Sequence, residues 1–118
     1  MNGRQYIEMI SKKDEDVDRI KKIEAVYGLT LPEILRKIVS NSDETVFLDG
    51  EKRILSFDEI IDAEQDLHTE FVKKGLLPIV DNGDNDFTVF RINHGNWSKY
   101  NIIDEVEFKV KDTIDELL

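Results

Sequence analysis

Residues Ile20 to Leu35 read I-K-K-I-E-A-V-Y-G-L-T-L-P-E-I-L, which spells one helix, a glycine stop and a Leu-Pro start to a second helix. Ile20, Ile23 and Tyr27 recur at three- and four-residue steps and so share one helical face. Gly28 can take the positive φ that ends a helix, which a residue with a Cβ resists. Pro32 suits the first turn of the next helix, where a missing N–H costs nothing. Upstream, Asp14, Glu15 and Asp16 favour a helix start through the macrodipole. The pattern therefore predicts a helix from about Asp14 to Tyr27. A second follows from Pro32 to about Ser40, burying Ile34, Leu35, Ile38 and Val39. Arg4 to Ser11 supports only a short leading turn.

Beyond the polar break Ser40-Asn41-Ser42-Asp43, Thr45 to Leu48 is β-branched and aromatic. Asp49-Gly50 then gives a hairpin signal before Lys52 to Leu55. Ser56-Phe57-Asp58-Glu59 is a capping box, and the helix it opens turns Phe57, Ile60, Ile61 and Ala63 inward. Leu67, Phe71 and Val72 continue a second helical piece up to Gly75. From Leu76 the texture becomes β. Leu76 to Val80 is an apolar strand whose Pro78 places it at a sheet edge or a strand start. Asp81 to Asp86 reads as a turn-rich acidic loop, Phe87 to Ile92 as a strong strand, and Asn93 to Asn96 as a tight turn. Trp97 to Ile103 and the alternating Val106, Phe108 and Val110 complete a meander. Asp112 to Leu118 is a capped helix start. Strands grouped after helices, rather than alternating with them, indicate a single α+β domain over residues 1–118, with a mostly antiparallel twisted sheet flanked by helices.

The chain has 118 residues, with 26 acidic against 16 basic side chains and a formal net charge of −10. That balance argues against nucleic-acid binding, which calls for a basic patch. It suits a cytoplasmic protein, or one whose partner is basic. There is no cysteine, so disulfides and thiolate metal sites are excluded. No stretch approaches the ~20 apolar residues of a membrane span. Met1 to Ser11 lacks the basic-then-apolar signature of a signal peptide.

Few constellations point to chemistry. Asp81-Asn82-Gly83-Asp84-Asn85-Asp86 is dense in oxygen donors. Yet its glycine is third rather than sixth, and Ile92 stands where an EF-hand has glutamate, so turn chemistry explains it better than calcium. Glu64 and His68 form one pair at helical spacing, which does not make a metal site, and His94 falls in a turn. Ser56 has no histidine nearby and no nucleophile elbow around it. Asp58, Asp62 and Asp66 share a helix with inward apolar neighbours, which describes a solvated acidic face. Trp97 and Tyr100, three apart on a strand, face opposite sides, so one of them is a candidate for an exposed aromatic anchor. No catalytic residue, metal or cofactor is expected.

The order of these elements, with the motifs at their joints, resembles the SUKH superfamily of Smi1/Knr4-like domains from about Val17 to Leu118. Tyr27-Gly28-Leu29 with Leu31-Pro32 is similar to its helix–glycine–Leu-Pro opening, and Leu55 to Ile60 to its strand-to-helix step. Leu77-Pro78-Ile79, the Asp/Gly-rich loop and Phe87 to Ile92 resemble its central segment, and Thr113 to Leu118 its terminal helix. Two positions depart: Ser42-Asp43-Glu44 stands where members often carry glycines, and Ile114 where they favour an aromatic. The resemblance implies a binding module rather than an enzyme. Bacterial relatives are mostly immunity proteins that neutralise polymorphic toxins by direct contact, and others are eukaryotic regulators. It implies a protein partner, a basic toxin domain such as a nuclease, or alternatively a host protein in a regulatory or scaffold role. Asp58, Asp62, Asp66, Asp81, Asp84 and Asp86 are the expected charge for such a partner, and Trp97 its apolar anchor.

Overall fold

The computed structural model describes residues 1–118 and opens with a full helix, α1 (Gly3–Ser11), where the sequence pattern supports only a turn. The cause is local. Asn2 accepts a hydrogen bond from the Gln5 N–H while the Gln5 side chain accepts from the Asn2 N–H, a reciprocal cap. Tyr6 and Ile10 then fall on one face and are fully buried. α2 (Val17–Tyr27) starts later than its acidic run suggests, because the last acid is the cap: the Asp16 carboxylate accepts from the Arg19 N–H at 3.2 Å. Gly28 ends α2 at φ 68°. Pro32 stands just outside α3 (Glu33–Ser40) rather than in its first turn. Leu35, Ile38 and Val39 are buried and Ile34 half-buried. Ser42 and Ile114, which mark the two departures from the family pattern, both lie in the interior; the Ser42 hydroxyl donates to the Ile38 carbonyl.

The remaining elements are β1 (Val46–Leu48), β2 (Lys52–Ile54), α4 (Phe57–Leu67), α5 (Phe71–Lys74), β3 (Leu76–Gly83), β4 (Asp86–Arg91), β5 (Asn96–Asn101), β6 (Val106–Lys111) and a terminal 3₁₀ turn (Ile114–Leu117). The six strands form one antiparallel sheet in which each lies beside its sequence neighbours, β1 to β6 in order. No helix is long and apolar enough to cross a membrane.

Two expectations are corrected here. Pro78 is not in an edge strand or at a strand start, because β3 is the third of six strands and begins at Leu76. The proline is tolerated because β2 pairs only with Val80 and Asp81, and its last bond runs from the Leu55 N–H to the Ile79 carbonyl. Pro78 lies just beyond that ladder, beside a register shift. Nor is Asp81 to Asp86 a loop. Asp81, Asn82 and Gly83 complete β3, Asp86 begins β4, and only Asp84 and Asn85 turn, at φ 53° and 66°. Positive φ at both central residues matches the twist of the flanking strands, and Asp and Asn tolerate it.

Both faces of the sheet are covered. Phe90 lies opposite Trp97 and Phe87 opposite Tyr100 in a regular β4–β5 register, so Trp97 and Tyr100 do face opposite sides. Neither is exposed, at 3% and 2%. α5 sets Phe71 edge-on to Tyr100, with ring centroids 6.4 Å apart. The start of α3 and the terminal turn flank Trp97. β6 is the outer strand, which leaves its Val106 and Val110 exposed despite their alternation. A bulge opposite Ser98, with Lys109 at φ 50°, interrupts this edge and hinders pairing with a foreign strand.

α4 is tied to the sheet by charge. Glu59 accepts hydrogen bonds from the Thr45 hydroxyl (2.7 Å), the Ser56 N–H (3.1 Å) and the Arg53 guanidinium (2.7 Å), and Arg53 also donates to Asp81 at 3.1 Å. Burial opposes charge on Glu59, but the Arg53, Thr45 and Ser56 hydrogen bonds and the Arg53 charge outweigh it and hold the carboxyl at about 2. An unfolded glutamate titrates near ~4.3. The stabilisation is thus complete above that value and is lost as pH falls through about 2.

Glu59→Gln is expected to lower stability by about 1 kcal/mol at neutral pH, allowing for solvent at this half-buried site. In urea titrations the gap from wild type should stay constant above pH 5 and close on acidification. A gap that persists unchanged to pH 2.5 would exclude Glu59 as the group responsible. Gly3→Ala tests a separate constraint. A Cβ at position 3 would overlap the Leu118 side chain, so α1 and the terminal residue should separate at a cost of about 1–3 kcal/mol in the same assay.

Candidate functional site

The carboxylates singled out by sequence lie on two parts of the fold, α4 and the β3–β4 hairpin. Asp58, Asp62 and Asp66 follow one another at four-residue steps on α4, all exposed and outside every ion pair of the chain. Asp84 stands unpaired at the tip of the β3–β4 turn. Asp81 is committed internally, one oxygen to Arg53 and the other to the Gly83 N–H. Asp86 is half-buried and accepts from the Asn101 amide at 2.8 Å. It also faces Lys99, whose ammonium is pushed down by burial and by the charges of Lys109 and Lys52, with Asp86 pulling the other way. The base of the hairpin therefore carries compensated charge, and its negative field is weaker than its composition suggests.

Trp97 lies at the other end of β5 from the partner of Asp86. Its ring packs edge-on against Phe90 at a centroid distance of 5.1 Å. Phe90 is four residues along β4 from Asp86, roughly 13 Å at the usual strand rise. The acids that share a cavity with Trp97 are Asp112 and Asp115. A cavity of about 340 Å³ opens here, walled by Pro32 and Ile34 from the start of α3, by Phe90 and Trp97 from the sheet, and by Asp112 and Asp115 on the terminal segment. Its volume is in the range of small-ligand or side-chain pockets. Trp97 is buried in the sense of solvent contact, yet it forms part of this cavity's wall.

Local rules place the rim. Trp97 pairs with Lys111 across the β5–β6 hairpin, and Asp112 follows directly after the end of β6. Thr113 then caps the 3₁₀ turn, its N–H donating to Glu116 at 3.3 Å. Ile114 and Leu117 turn inward while Asp115 stays exposed and unpaired. The sequence alone does not single out Phe90, Asp112 or Asp115, which line this cavity. The signal was available only through the hairpin register, since Asp112 is distant from Trp97 along the chain.

A second crevice of about 50 Å³, between Arg53, Glu59, Asp66 and Phe87, has room for a water or two and belongs to the α4 tie. No group of three or more His, Asp or Glu side chains is arranged to hold a metal. The Glu64–His68 pair does not persist. His68 ends α4 in the left-handed conformation at φ 52°, and the Glu64 carboxylate instead accepts from the Val72 N–H. Neither histidine lines either cavity.

Comparison with known proteins gives one match. The model of the SMI1 / KNR4 family (SUKH-1) covers residues 15–118, the stretch from the α2 cap to the terminal turn. Neither the curated proteins nor the solved structures gave a match.

Proposed function

The chain belongs to the SMI1/KNR4 family (SUKH-1), and from that premise we propose that it is a protein-binding module that acts as an immunity protein, neutralising a cognate bacterial toxin by contact. The family match over residues 15–118 carries this reading, because bacterial SUKH proteins are mostly of that kind. The formal charge of −10 supports a basic toxin domain as the partner, a nuclease among the candidates, in the cytoplasm. The mechanism is occlusion. An acidic protein seated on a cationic substrate path blocks it without chemistry of its own. Unpaired carboxylates such as Asp58, Asp62, Asp66 and Asp84 supply long-range attraction, and desolvated contacts set the lifetime of the complex.

The test starts at the gene. The product of an adjacent toxin-like reading frame is expressed alone and together with this chain. Growth arrest relieved by co-expression, with a complex recovered by gel filtration, is the expected result. A harmless neighbour product, or toxicity that co-expression leaves untouched, would overturn the assignment. Association should also be salt-sensitive, its rate falling on the order of tenfold between low and high ionic strength while dissociation changes less. A salt-independent association rate would remove electrostatic steering from the mechanism.

A further inference from the structure

We infer that the outer strand β6 is a docking surface for a second copy of this chain, paired antiparallel about a two-fold axis at Phe108. The inference goes beyond the toxin reading and does not depend on it.

The edge itself is free. β6 pairs only with β5, and none of the backbone hydrogen bonds made outside the helices and sheet ladders involves Val106 to Lys111. The other outer strand, β1, has three residues, and the Asp49 N–H that follows it already donates to the Met1 carbonyl. The β6 margin is also apolar. Ile103, Val106 and Val110 are 68%, 50% and 47% exposed on one hairpin, with Phe108 half-buried between the two valines. Grouped apolar side chains on a surface mark an interaction site, where scattered ones do not.

The order of charges identifies the occupant. Glu105 to Lys111 reads E-V-E-F-K-V-K, which in reverse keeps every apolar position and inverts every charge. An antiparallel copy centred on Phe108 sets Phe108 against Phe108, and Glu107 of each chain against Lys109 of the other. Val106 then lies toward Val110, and Glu105 toward Lys111. Other arrangements are rejected. Centring on Glu107 or Lys109 opposes like charges, a one-residue slip sets apolar side chains against charged ones, and in-register parallel pairing opposes like charges throughout.

The groups this pairing needs are available. Lys109 and Lys111 are exposed and outside every ion pair of the chain. Glu107 gives one oxygen to Arg91 and Ser98, and its other oxygen accepts no hydrogen bond within the chain. The bulge at Lys109 sets the extent of the contact. A long foreign strand meets a kink there, whereas the two-fold copy needs only the three rungs from Glu107 to Lys109. Such an isologous contact closes as a dimer, because neither β6 edge is left for a third chain.

Sedimentation equilibrium of the full chain should give twice the monomer mass at high concentration, reverting on dilution. Lys109→Glu/Lys111→Glu opposes acid to acid and should weaken the dimer on the order of tenfold. Lys12→Glu/Lys13→Glu makes the same change in net charge at exposed positions after α1 and should leave the dimer in place. The chain has no cysteine, so Phe108→Cys carries a single thiol. Directly opposed residues of an antiparallel pair have Cα atoms about 4.5–5.5 Å apart, within disulfide reach, so mild oxidation should join two copies. Val72→Cys, on the exposed side of α5, should stay unjoined. Thermal melts verify that each variant folds. A monomer mass at every concentration overturns the inference. So does a dimer that both charge variants weaken equally, or one that persists while the Phe108→Cys variant fails to cross-link.

Discussion

The glutamate that closes the α4 capping box also anchors the helix to the sheet, and the packing of α4 on that face depends on this double use. Ser56 and Glu59 satisfy each other's backbone N–H groups at the start of the helix, as any capping box does. Because Glu59 has two oxygens, it can accept there from Ser56 and Thr45 while its other oxygen takes Arg53 from β2. Arg53 in turn reaches Asp81 on β3. One carboxylate thereby fixes where the helix begins, which strand end it meets and which face it covers. Such a half-buried ion pair adds little net energy over an apolar contact, since desolvation offsets much of the attraction. Its effect is on geometry: a shift of α4 by one residue would break the Arg53–Glu59 pair and leave Arg53 with Asp81 alone. Phe57, Ile60 and Ala63 are then carried into the core together.

What could be read from the sequence follows the range of each signal. Gly28, the Leu-Pro junction and the Ser56–Glu59 box act within a turn or two, and each stands within a residue or two of its expected place. The grouping of strands after Leu76 sufficed for the α+β class. Signals that need a partner distant along the chain were harder. Pro78 argues for an edge by a local rule, and only the early end of β2 makes an interior strand acceptable. The acids of Asp81 to Asp86 look like a loop because loops are rich in them. In fact two of the residues turn and the others pair. α1 needs its long-range contacts as well as its Asn2–Gln5 cap, because Tyr6 and Ile10 show their inward face only once they are packed.

The same distinction governs the candidate site. Composition counts 26 acids, but their physical value depends on what stands opposite. Glu59 and Asp81 share the single Arg53, and Asp86 faces Lys99, so these charges are cancelled in part. The exposed acids of α4, Asp84, Asp112 and Asp115 are not cancelled, and they sit on different elements. A basic partner would therefore feel a broad negative field on approach, with close-range discrimination confined to the carboxylates that adjoin apolar surface. Of those, Asp112 and Asp115 adjoin the larger cavity.

The rim of that cavity is built on a segment in which buried and exposed residues interleave. Ile114 and Leu117 are buried, Leu118 abuts Gly3, and the Lys52 ammonium donates to the Leu117 and Leu118 carbonyls. These contacts fix the terminal turn against α1 and β2, while Asp112 and Asp115 point to solvent and make no tertiary bond. Substitution at the rim thus costs the fold little, whereas substitution at Ile114 or Leu117 opens the core. A domain arranged this way can exchange the charge at the cavity's rim while its sheet and helices stay the same. That separation lets the surface at the rim diverge on a constant scaffold, so membership of the fold alone does not name a partner.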